Sequence, residues 1–378
     1  MLRAMGTPST MTPAEVARVR RLGHLLAGDR PRDPAAAVAA LLAMQAQDHA
    51  GALWSIGVRT DGATEGSIEA ALASGAIVRG WPLRRTLHVI AAADHRWLLA
   101  LLGPRAVAAT LPRARGLGIE AADVVAAEKA LTRALTGGKQ LARDAAMACL
   151  DRAGVVTAGQ RGYHLLVRLA LEGVLCLGPR AGKQPTFVLV DDWLARVPAA
   201  PRSREQALIE LATRFFASHG PATIADLVGW AAITVGDAKA GIAGAGAALA
   251  RVDVDGVAHW MAADVTVPRP RADAVDLLAG FDELVLGYKQ RAAFLDPAHA
   301  DAIVPGGNGV FRPTVVVDGR VVGTWARVRR AKADVVTVTP FTRLAAAARP
   351  GLAAAIARHA AFLGRPVELV VAGDRRSS

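Results

Sequence analysis

Two glutamines that flank one small residue have the type and spacing that could serve chemistry. They are Gln45 and Gln47 in the segment LLAMQAQDHAG, and they offer neutral dipoles with donors and acceptors rather than an acid or a base. The apolar spacing before them predicts a helix from Asp33 to about Gln47, with Gln45 on the same face as Leu41. An amide on a core-facing surface needs partners, since leaving it unsatisfied costs roughly 1–3 kcal/mol. Gln45 is therefore either a structural glutamine bonded to nearby backbone or part of a site.

Three titratable side chains near this pair have both a structural and a functional interpretation. Asp48 and His49 follow the pair directly, and an acid at that point is commonly a helix cap or a solvated loop residue, with a general base as the alternative. His88, in the predicted strand RRTLHVI, shares a strand face with Thr86 and Arg84, either as a satisfied structural histidine or as part of a site. No EF-hand, HExxH, Walker or GxGxxG arrangement occurs, so the sequence predicts neither a metal nor a cofactor.

Charge points to a polyanionic partner. The chain has 45 basic and 33 acidic side chains, a formal net charge of +12 at pH 7. Such a surplus attracts nucleic acid, and arginine forks onto phosphate oxygens, although a compositional bias toward arginine is the alternative explanation. The candidate DNA contacts lie on two predicted hairpins, the first with Arg79, Arg84, Arg85 and His88, the second, around Asp318-Gly319, with Arg312, Arg320, Arg327, Arg329 and Arg330.

The sequence predicts neither a membrane-spanning nor an exported protein. Its longest purely apolar stretch, Ala35 to Met44, is far shorter than the roughly 20 residues that cross a bilayer. The beginning of the chain, MLRAMGTPSTMTPAEV, lacks the apolar core and cleavage site of a secretory signal. We therefore expect a cytoplasmic protein.

The predicted elements that must position the glutamines recur in a fixed order. Three predicted helices precede a hairpin made of AIVRG and RRTLHVI, which is the order of a winged helix, and the same order follows twice more. The sequence thus predicts an α+β fold with about three tandem winged-helix units and a small β-rich C-terminal unit that carries a basic hairpin. The predicted boundaries are 12–110, 120–198, 203–265 and 268–374.

Several fragments in a set order carry a family resemblance. Gln45-Ala46-Gln47 is followed by LWSIGVR, IVRGWPLRRTLHVI and DHRWLLALLGPR, and far downstream by FDELVLGYKQR and FRPTVVVDGRVVGTW. Together, from about residue 12 to 370, they resemble the AlkZ/YcaQ group of winged-helix DNA glycosylases. The resemblance implies a concave DNA-binding face and, in the AlkZ-like branch, a catalytic Gln-aliphatic-Gln motif, which by position is Gln45 and Gln47. The YcaQ-like branch has Asp where this chain has Gln47, and Ala46 is smaller than many aliphatic residues at the middle position.

The resemblance implies a monofunctional DNA glycosylase that hydrolyses the N-glycosidic bond of alkylated purines in duplex DNA. A purine alkylated at N7 or N3 already carries positive charge and leaves readily. What remains is to hold a water against C1′ and to stabilise an oxocarbenium-like sugar with oriented amide dipoles. A lyase would need an activated lysine, and none of the six lysines lies beside the motif. The resemblance further implies that bulky N7 adducts are accepted, including crosslinks made by genotoxins, and we expect a monomer.

The alternative is a non-catalytic winged-helix DNA-binding protein such as a transcriptional regulator. Several winged helices in one chain argue against the usual dimeric repressor, in which two copies of one module read two half-sites. A regulator would prefer one DNA sequence by about 10³-fold or more, whereas a glycosylase would leave abasic sites without such a preference. Release of base from alkylated DNA separates the two.

Overall fold

The computed structural model describes residues 9–198 and 200–373, which form helices and three β-sheets. The first elements are a short strand, β1 (Ser9–Thr10), and a helix, α1 (Pro13–Gly23). Thr12 caps α1 because its hydroxyl accepts from the Glu15 N–H while the Glu15 carboxylate accepts from the Thr12 N–H. The helix thus begins at a Thr-Pro pair, a start signal that is visible in the sequence itself.

The first repeat has the order helix, short strand, helix, helix and hairpin: α2 (Pro34–Leu41), β2 (Met44–Gln45), α3 (His49–Gly57), α4 (Glu65–Ala73), β3 (Ile77–Leu83) and β4 (Thr86–Ala91). The helix predicted to reach Gln47 is wrong, because it ends at Leu41 and Leu42 takes a φ of 66° that interrupts it. A separate helix, α3, begins two residues after Gln47. Asp48 is the N-cap of α3, and this confirms its interpretation as a cap.

The same order returns twice along the chain. After the long helix α5 (Ala92–Gly116) come α6 (Ala121–Leu135), β5 (Leu141–Ala142), α7 (Arg143–Arg152), α8 (Arg161–Leu171), β6 (Leu175–Ala181) and β7 (Gln184–Leu189). After the short helix α9 (Val190–Trp193) come α10 (Arg204–His219), α11 (Ile224–Ala231), α12 (Val235–Ala245), β8 (Leu249–Val254) and β9 (Val257–Ala262). In this third copy an isolated bridge between Ala222 and Trp260 takes the place of the short strand.

The hairpins of the first two repeats share one sheet. β3 pairs with β6 at Arg79 and Leu177, so the six strands run in the order β2-β4-β3-β6-β7-β5. The third hairpin forms a separate sheet, in which β1 pairs in parallel with β8. The strand that carries Gln45 is therefore an edge strand, beside β4.

The C-terminal part is a five-stranded sheet covered by a helix. Its elements are β10 (Val275–Leu278), α13 (Glu283–Leu286), α14 (Ala300–Ile303), β11 (Thr314–Val317), β12 (Arg320–Val328), β13 (Asp334–Pro340), α15 (Ala348–Leu363) and β14 (Val367–Val371). The sheet order is β10-β11-β12-β13-β14, and the turn at Asp318-Gly319 joins β11 to β12 as predicted. The C-terminal unit is predicted to be β-rich, but after β10 ends at Leu278 a helical turn, α13, follows.

The cores do not follow the repeat boundaries. The largest apolar cluster joins the first repeat, the third repeat and the C-terminal sheet, whereas the second repeat has its own cluster, which also takes in Trp81. α1, assigned to the first unit by sequence, packs through Val16 and Val19 on Val252 and Val254 of the third. The fold is thus mixed α and β, and the first repeat is held by elements far away in the sequence.

Candidate functional site

The Gln-x-Gln motif begins in a strand and leaves it at a bend. Gln45 ends β2 and pairs with His88 across β2 and β4, whereas Gln47 lies at the bend after this strand. Between them, the Ala46 N–H donates to the Leu87 carbonyl oxygen at 2.7 Å. Ala46 is fully buried, Gln45 is half-buried and Gln47 is exposed. Both glutamine side chains are therefore accessible at this sheet edge, whereas Ala46 packs in the core.

Both carboxamide oxygens are held by donors from the first hairpin. The Leu87 N–H donates to Gln47 Oε1 at 2.9 Å, and Arg84 Nη2 donates to Gln45 Oε1 at 3.3 Å. Both partners can only donate, which fixes the oxygen of each carboxamide toward the hairpin. Because a carbonyl oxygen has two lone pairs, each oxygen keeps one acceptor position for a further partner.

The turn that presents Arg84 is built from two arginines in an unusual conformation. Arg84 and Arg85 occupy the two-residue connection between β3 and β4 with φ of 49° and 60°. Such turns favour Asn-Gly, because positive φ at both positions strains other residues by on the order of 1 kcal/mol or more each. The turn folds Arg84 back over Gln45 and leaves Arg85 exposed.

His88 is a structural partner of Arg84 and does not face the surface. It is fully buried, its Nδ1–H donates to the Thr86 carbonyl oxygen at 2.9 Å, and its Nε2 accepts from Arg84 Nη2 at 3.2 Å. Burial and the neighbouring Arg84 cation lower the pKa of His88 to about 4, so it is neutral at pH 7. Its prediction as a DNA contact is wrong, because a fully buried ring offers no surface to a duplex.

A buried carboxylate closes a ring of hydrogen bonds behind Gln45. Glu283 Oε1 accepts from the Gln45 N–H at 2.7 Å, and Glu283 Oε2 accepts from Trp230 Nε1 at 2.9 Å. The ring is completed by Arg84, whose Nη1 donates to the Trp230 carbonyl oxygen at 2.6 Å and whose Nη2 donates to Gln45. Three distant segments thus fix both the backbone and the side chain of Gln45.

Glu283 is an anion at neutral pH. Burial acts to raise its pKa, but the neighbouring His219, Arg84 and His88 outweigh burial and hold the pKa at about 2. The preceding residue, Asp282, is also buried and accepts hydrogen bonds from Arg59 Nη1 and Nη2 at 2.8 and 2.7 Å. Arg59 lies near the end of α3, so this ion pair ties the first repeat to the segment that carries Glu283.

We expect Glu283→Gln to lower the rate of base release by on the order of 10-fold to 10²-fold, because a glutamine has one acceptor oxygen for two donors and Gln45 would shift. Measured kcat should fall while the affinity for duplex DNA stays constant. The double variant Glu283→Gln, Trp230→Phe removes the second donor and should recover part of the loss. Equal activity of Glu283→Gln and the parent would show that the ring does not position Gln45.

The other two arginines of the first hairpin, Arg79 and Arg85, make different contacts. Arg79 donates through Nε and Nη2 to the Ala46 carbonyl oxygen at 3.1 and 2.6 Å, so it holds the middle of the motif. Arg85 is exposed, with Nη1 3.3 Å from the Ala109 carbonyl oxygen. A cleft of about 420 Å³ opens beside the motif between the first two hairpins, lined among others by His49, Glu69, Arg79 and Arg180.

The arginines expected around the Asp318-Gly319 turn are spread along the hairpin. The turn packs against α1, since a Cβ on Gly319 would meet the Ala17 carbonyl group. Arg320 follows the turn, whereas Arg327 lies near the other end of β12, about 23 Å away at 3.3 Å per residue. Arg312 precedes β11, and Arg329 and Arg330 follow β12. All five are exposed, and their role as DNA contacts stays a prediction.

Buried histidines make stability depend on pH. Burial is the main cause that lowers the pKa of His88, His95 and His359 to about 4, below the ordinary value near 6.5. Between pH 4 and 6.5 these histidines are protonated in the unfolded chain but neutral in the folded protein. The free energy of unfolding should therefore fall as pH drops from 6.5 to 4, by on the order of 3 kcal/mol per histidine. Urea titrations at pH 7, 6, 5 and 4.5 measure this. His359→Leu should flatten the fall, and a constant free energy over that range would contradict the assignment.

Within residues 9–198 and 200–373, no group of three or more His, Cys, Asp or Glu side chains has an arrangement that suits a metal ion. None of the helices described there is both long and apolar enough to span a bilayer.

The chain is similar to proteins that are named as DNA glycosylases. The sequence model of the family described as DNA glycosylase AlkZ-like matches residues 38–362. A relative from Streptomyces sahachiroi, called "Interstrand DNA cross-link repair glycosylase", is 27% identical over 352 residues, covering 88% of this chain and 92% of the relative. The solved structure of the DNA glycosylase AlkZ from Streptomyces sahachiroi superposes with a TM-score of 0.79 at 25% identity, covering 96% of this chain and 100% of that chain.

Proposed function

Because the chain belongs to the family of AlkZ-like DNA glycosylases and is a DNA-acting hydrolase, we propose that it excises alkylated purines by hydrolysis with Gln45 and Gln47. The substrates we propose are N7-alkylguanine and N3-alkyladenine in duplex DNA. The observation that carries the proposal is the pair of carboxamides at the edge of one sheet, each with its oxygen held by the first hairpin and one acceptor position left. A non-catalytic regulator is not favoured by the family match.

We further propose that the three repeats are tandem winged-helix units, with 12–110, 120–198 and 203–265 as their ranges and 268–374 as the C-terminal unit. The recurring order of helix, short strand, helix, helix and hairpin supports this reading. In the first unit the short strand carries Gln45, the first residue of the motif. We also propose that the protein is a monomer, since one chain supplies all the repeats. The proposed location is the cytoplasm.

The proposed reaction breaks the C1′–N9 bond of the lesion nucleotide. The bonding electrons pass to the purine ring and neutralise its positive charge, while the sugar becomes oxocarbenium-like. A water held by the free acceptor positions of Gln45 Oε1 and Gln47 Oε1 adds to C1′ and gives its proton to solvent, which leaves an abasic site. Amide dipoles fixed before the reaction stabilise the sugar cation without reorganising.

The charges around Gln45 suit a cationic substrate. Arg84 alone would repel a positively charged purine at short range. Glu283 remains ionised with a pKa of about 2 and offsets the Arg84 charge, while His88 stays neutral. The site therefore presents oriented dipoles with little net charge, so a cationic base meets little electrostatic repulsion when it approaches.

The cleft beside the motif supports a proposal about bulky lesions. Its volume of about 420 Å³ lies between the first two hairpins and is lined by His49 and Arg79, which belong to or contact the segment carrying the glutamines. The relative from Streptomyces sahachiroi is named for repair of interstrand cross-links. We propose that this chain likewise accepts bulky adducts, with the substituent in this cleft while the base departs.

The decisive experiment is release of free base. Purified protein is incubated with duplex DNA carrying N7-methylguanine in a chelating buffer, and the supernatant is analysed by chromatography. Free N7-methylguanine together with alkali-labile abasic sites is the expected result. Absence of released base, with tight binding to one DNA sequence, would replace the proposal by the regulator.

A further inference from the structure

A second concave site lies away from the glutamines, between α1, α15 and the segment before β10. Its volume is about 770 Å³. Gln45 precedes the N-terminus of α3, whereas this cavity lies near Arg30 and Arg59, beyond the C-terminal end of that helix. The nine residues of α3 span about 13 Å, so the two sites are separate.

Basic side chains outnumber acidic ones around this cavity. Six arginines line it, against two aspartates, Asp273 and Asp318: Arg18, Arg21, Arg30, Arg269, Arg271 and Arg358. Arg18 and Arg271 are paired with those two carboxylates, at 3.7 and 2.8 Å. The other four arginines have no carboxylate in the cavity wall itself.

One buried carboxylate beneath the cavity forms ion pairs with two of these arginines. Asp276 is fully buried and lies 2.6 Å from Arg21 Nε and 3.5 Å from Arg358 Nη2. Arg358 Nε is buried without a hydrogen-bond partner among the described residues. A partly buried cation with unused donors is costly unless an anion compensates it.

Arg30 adds a third cation, and among the described residues no carboxylate contacts it. Its Nε and Nη2 donate to the Leu25 and Leu26 carbonyl oxygens, at 3.3 and 3.2 Å. Burial, together with the positive charges of Arg358 and Arg21, lowers the pKa of Arg30 to about 10, against the opposing effect of Asp276. The fold thus gathers more positive charge here than its own acids neutralise.

We propose that this cavity binds a phosphate-type oxyanion with at least two negative charges. Planar guanidinium groups match such an anion with paired, charge-assisted hydrogen bonds, and Arg21, Arg30 and Arg358 converge on the cavity from three different elements. The anion is either a free small polyphosphate or the phosphate backbone of DNA bound to the same molecule. Both supply the same chemistry at the arginines, and the inference stands independently of base excision.

Titration with inorganic pyrophosphate tests the site on the full-length protein, at a low ionic strength held constant with sodium chloride. Calorimetry should show binding by the parent protein that weakens about tenfold in Arg30→Gln, the loss expected for one charge-assisted hydrogen bond. Arg269→Gln, an exposed rim substitution that spares the fold, should weaken binding in the same direction. Arg152→Gln, which removes the same charge from an exposed position outside the cavity, should bind like the parent.

A second arm identifies the source of the anion with an undamaged duplex, so that no glycosylase reaction enters. If pyrophosphate displaces the duplex and Arg30→Gln weakens duplex binding, the phosphate belongs to DNA; if only pyrophosphate binding responds, the ligand is a small anion. Both results support the site. Pyrophosphate binding that is equal in the parent, Arg30→Gln and Arg269→Gln would overturn it.

Discussion

Base release from N7-methylguanine duplexes should fall about 10²-fold when Gln45 or Gln47 is replaced by alanine, a typical scale for lost transition-state positioning. Each substitution removes one oxygen that the first hairpin holds in place, through Arg84 for Gln45 and through the Leu87 N–H for Gln47. Single-turnover rates measure the loss, and duplex affinity should change little because neither side chain carries charge.

The double variant shows whether the two glutamines act as one unit. If both hold the same water, Gln45→Ala, Gln47→Ala should be only slightly slower than either single variant, because the second loss removes nothing further. Gln184→Ala, an exposed glutamine on the hairpin of the second repeat, serves as the matched control and should react at the parent rate. Activity of the double variant equal to that of the parent would refute the role of the motif.

The largest effect on stability is expected at the buried ion pair of Arg59 and Asp282. Both side chains have no exposed surface, and Arg59 also donates to the Ser55 and His24 carbonyl oxygens. Asp282→Asn keeps the shape but leaves a buried, uncompensated guanidinium, so the free energy of unfolding should fall by about 3–5 kcal/mol. Urea titration gives this value, and activity should fall as well because Glu283 is the next residue.

Removing both charges separates the ion pair from simple packing. Arg59→Met, Asp282→Asn has no unpaired charge and should be more stable than Asp282→Asn alone, since the larger cost is the orphaned cation. The exposed pair of Arg32 and Asp61 is the control, and Asp61→Asn should cost no more than about 1 kcal/mol. A double variant less stable than Asp282→Asn would mean that the guanidinium contributes mainly through its carbonyl contacts.

Local patterns identified the motif and most elements around it. Gln45 and Gln47 stand out because polar amides follow an apolar run, and Thr12, Asp48 and the Asp318-Gly319 turn carry local signals that the structure follows. The helix predicted through Gln47 failed at Leu42, because an apolar periodic run gives no sign that one leucine will take a positive φ. The partner Glu283 lay within a fragment of the family resemblance, yet nothing local links it to Gln45, 238 residues away.

Composition and local order by themselves determined a basic chain of repeated helices and hairpins with a paired carboxamide motif, since capping, turn preference and apolar periodicity act between near neighbours. Only the tertiary structure decided that the first hairpin holds both glutamine oxygens, that His88 is buried and that Glu283 supports Gln45. These features depend on a backbone reversal at one leucine and on contacts between segments hundreds of residues apart. The energies of such contacts are set by packing of the whole chain, which no short stretch of sequence encodes.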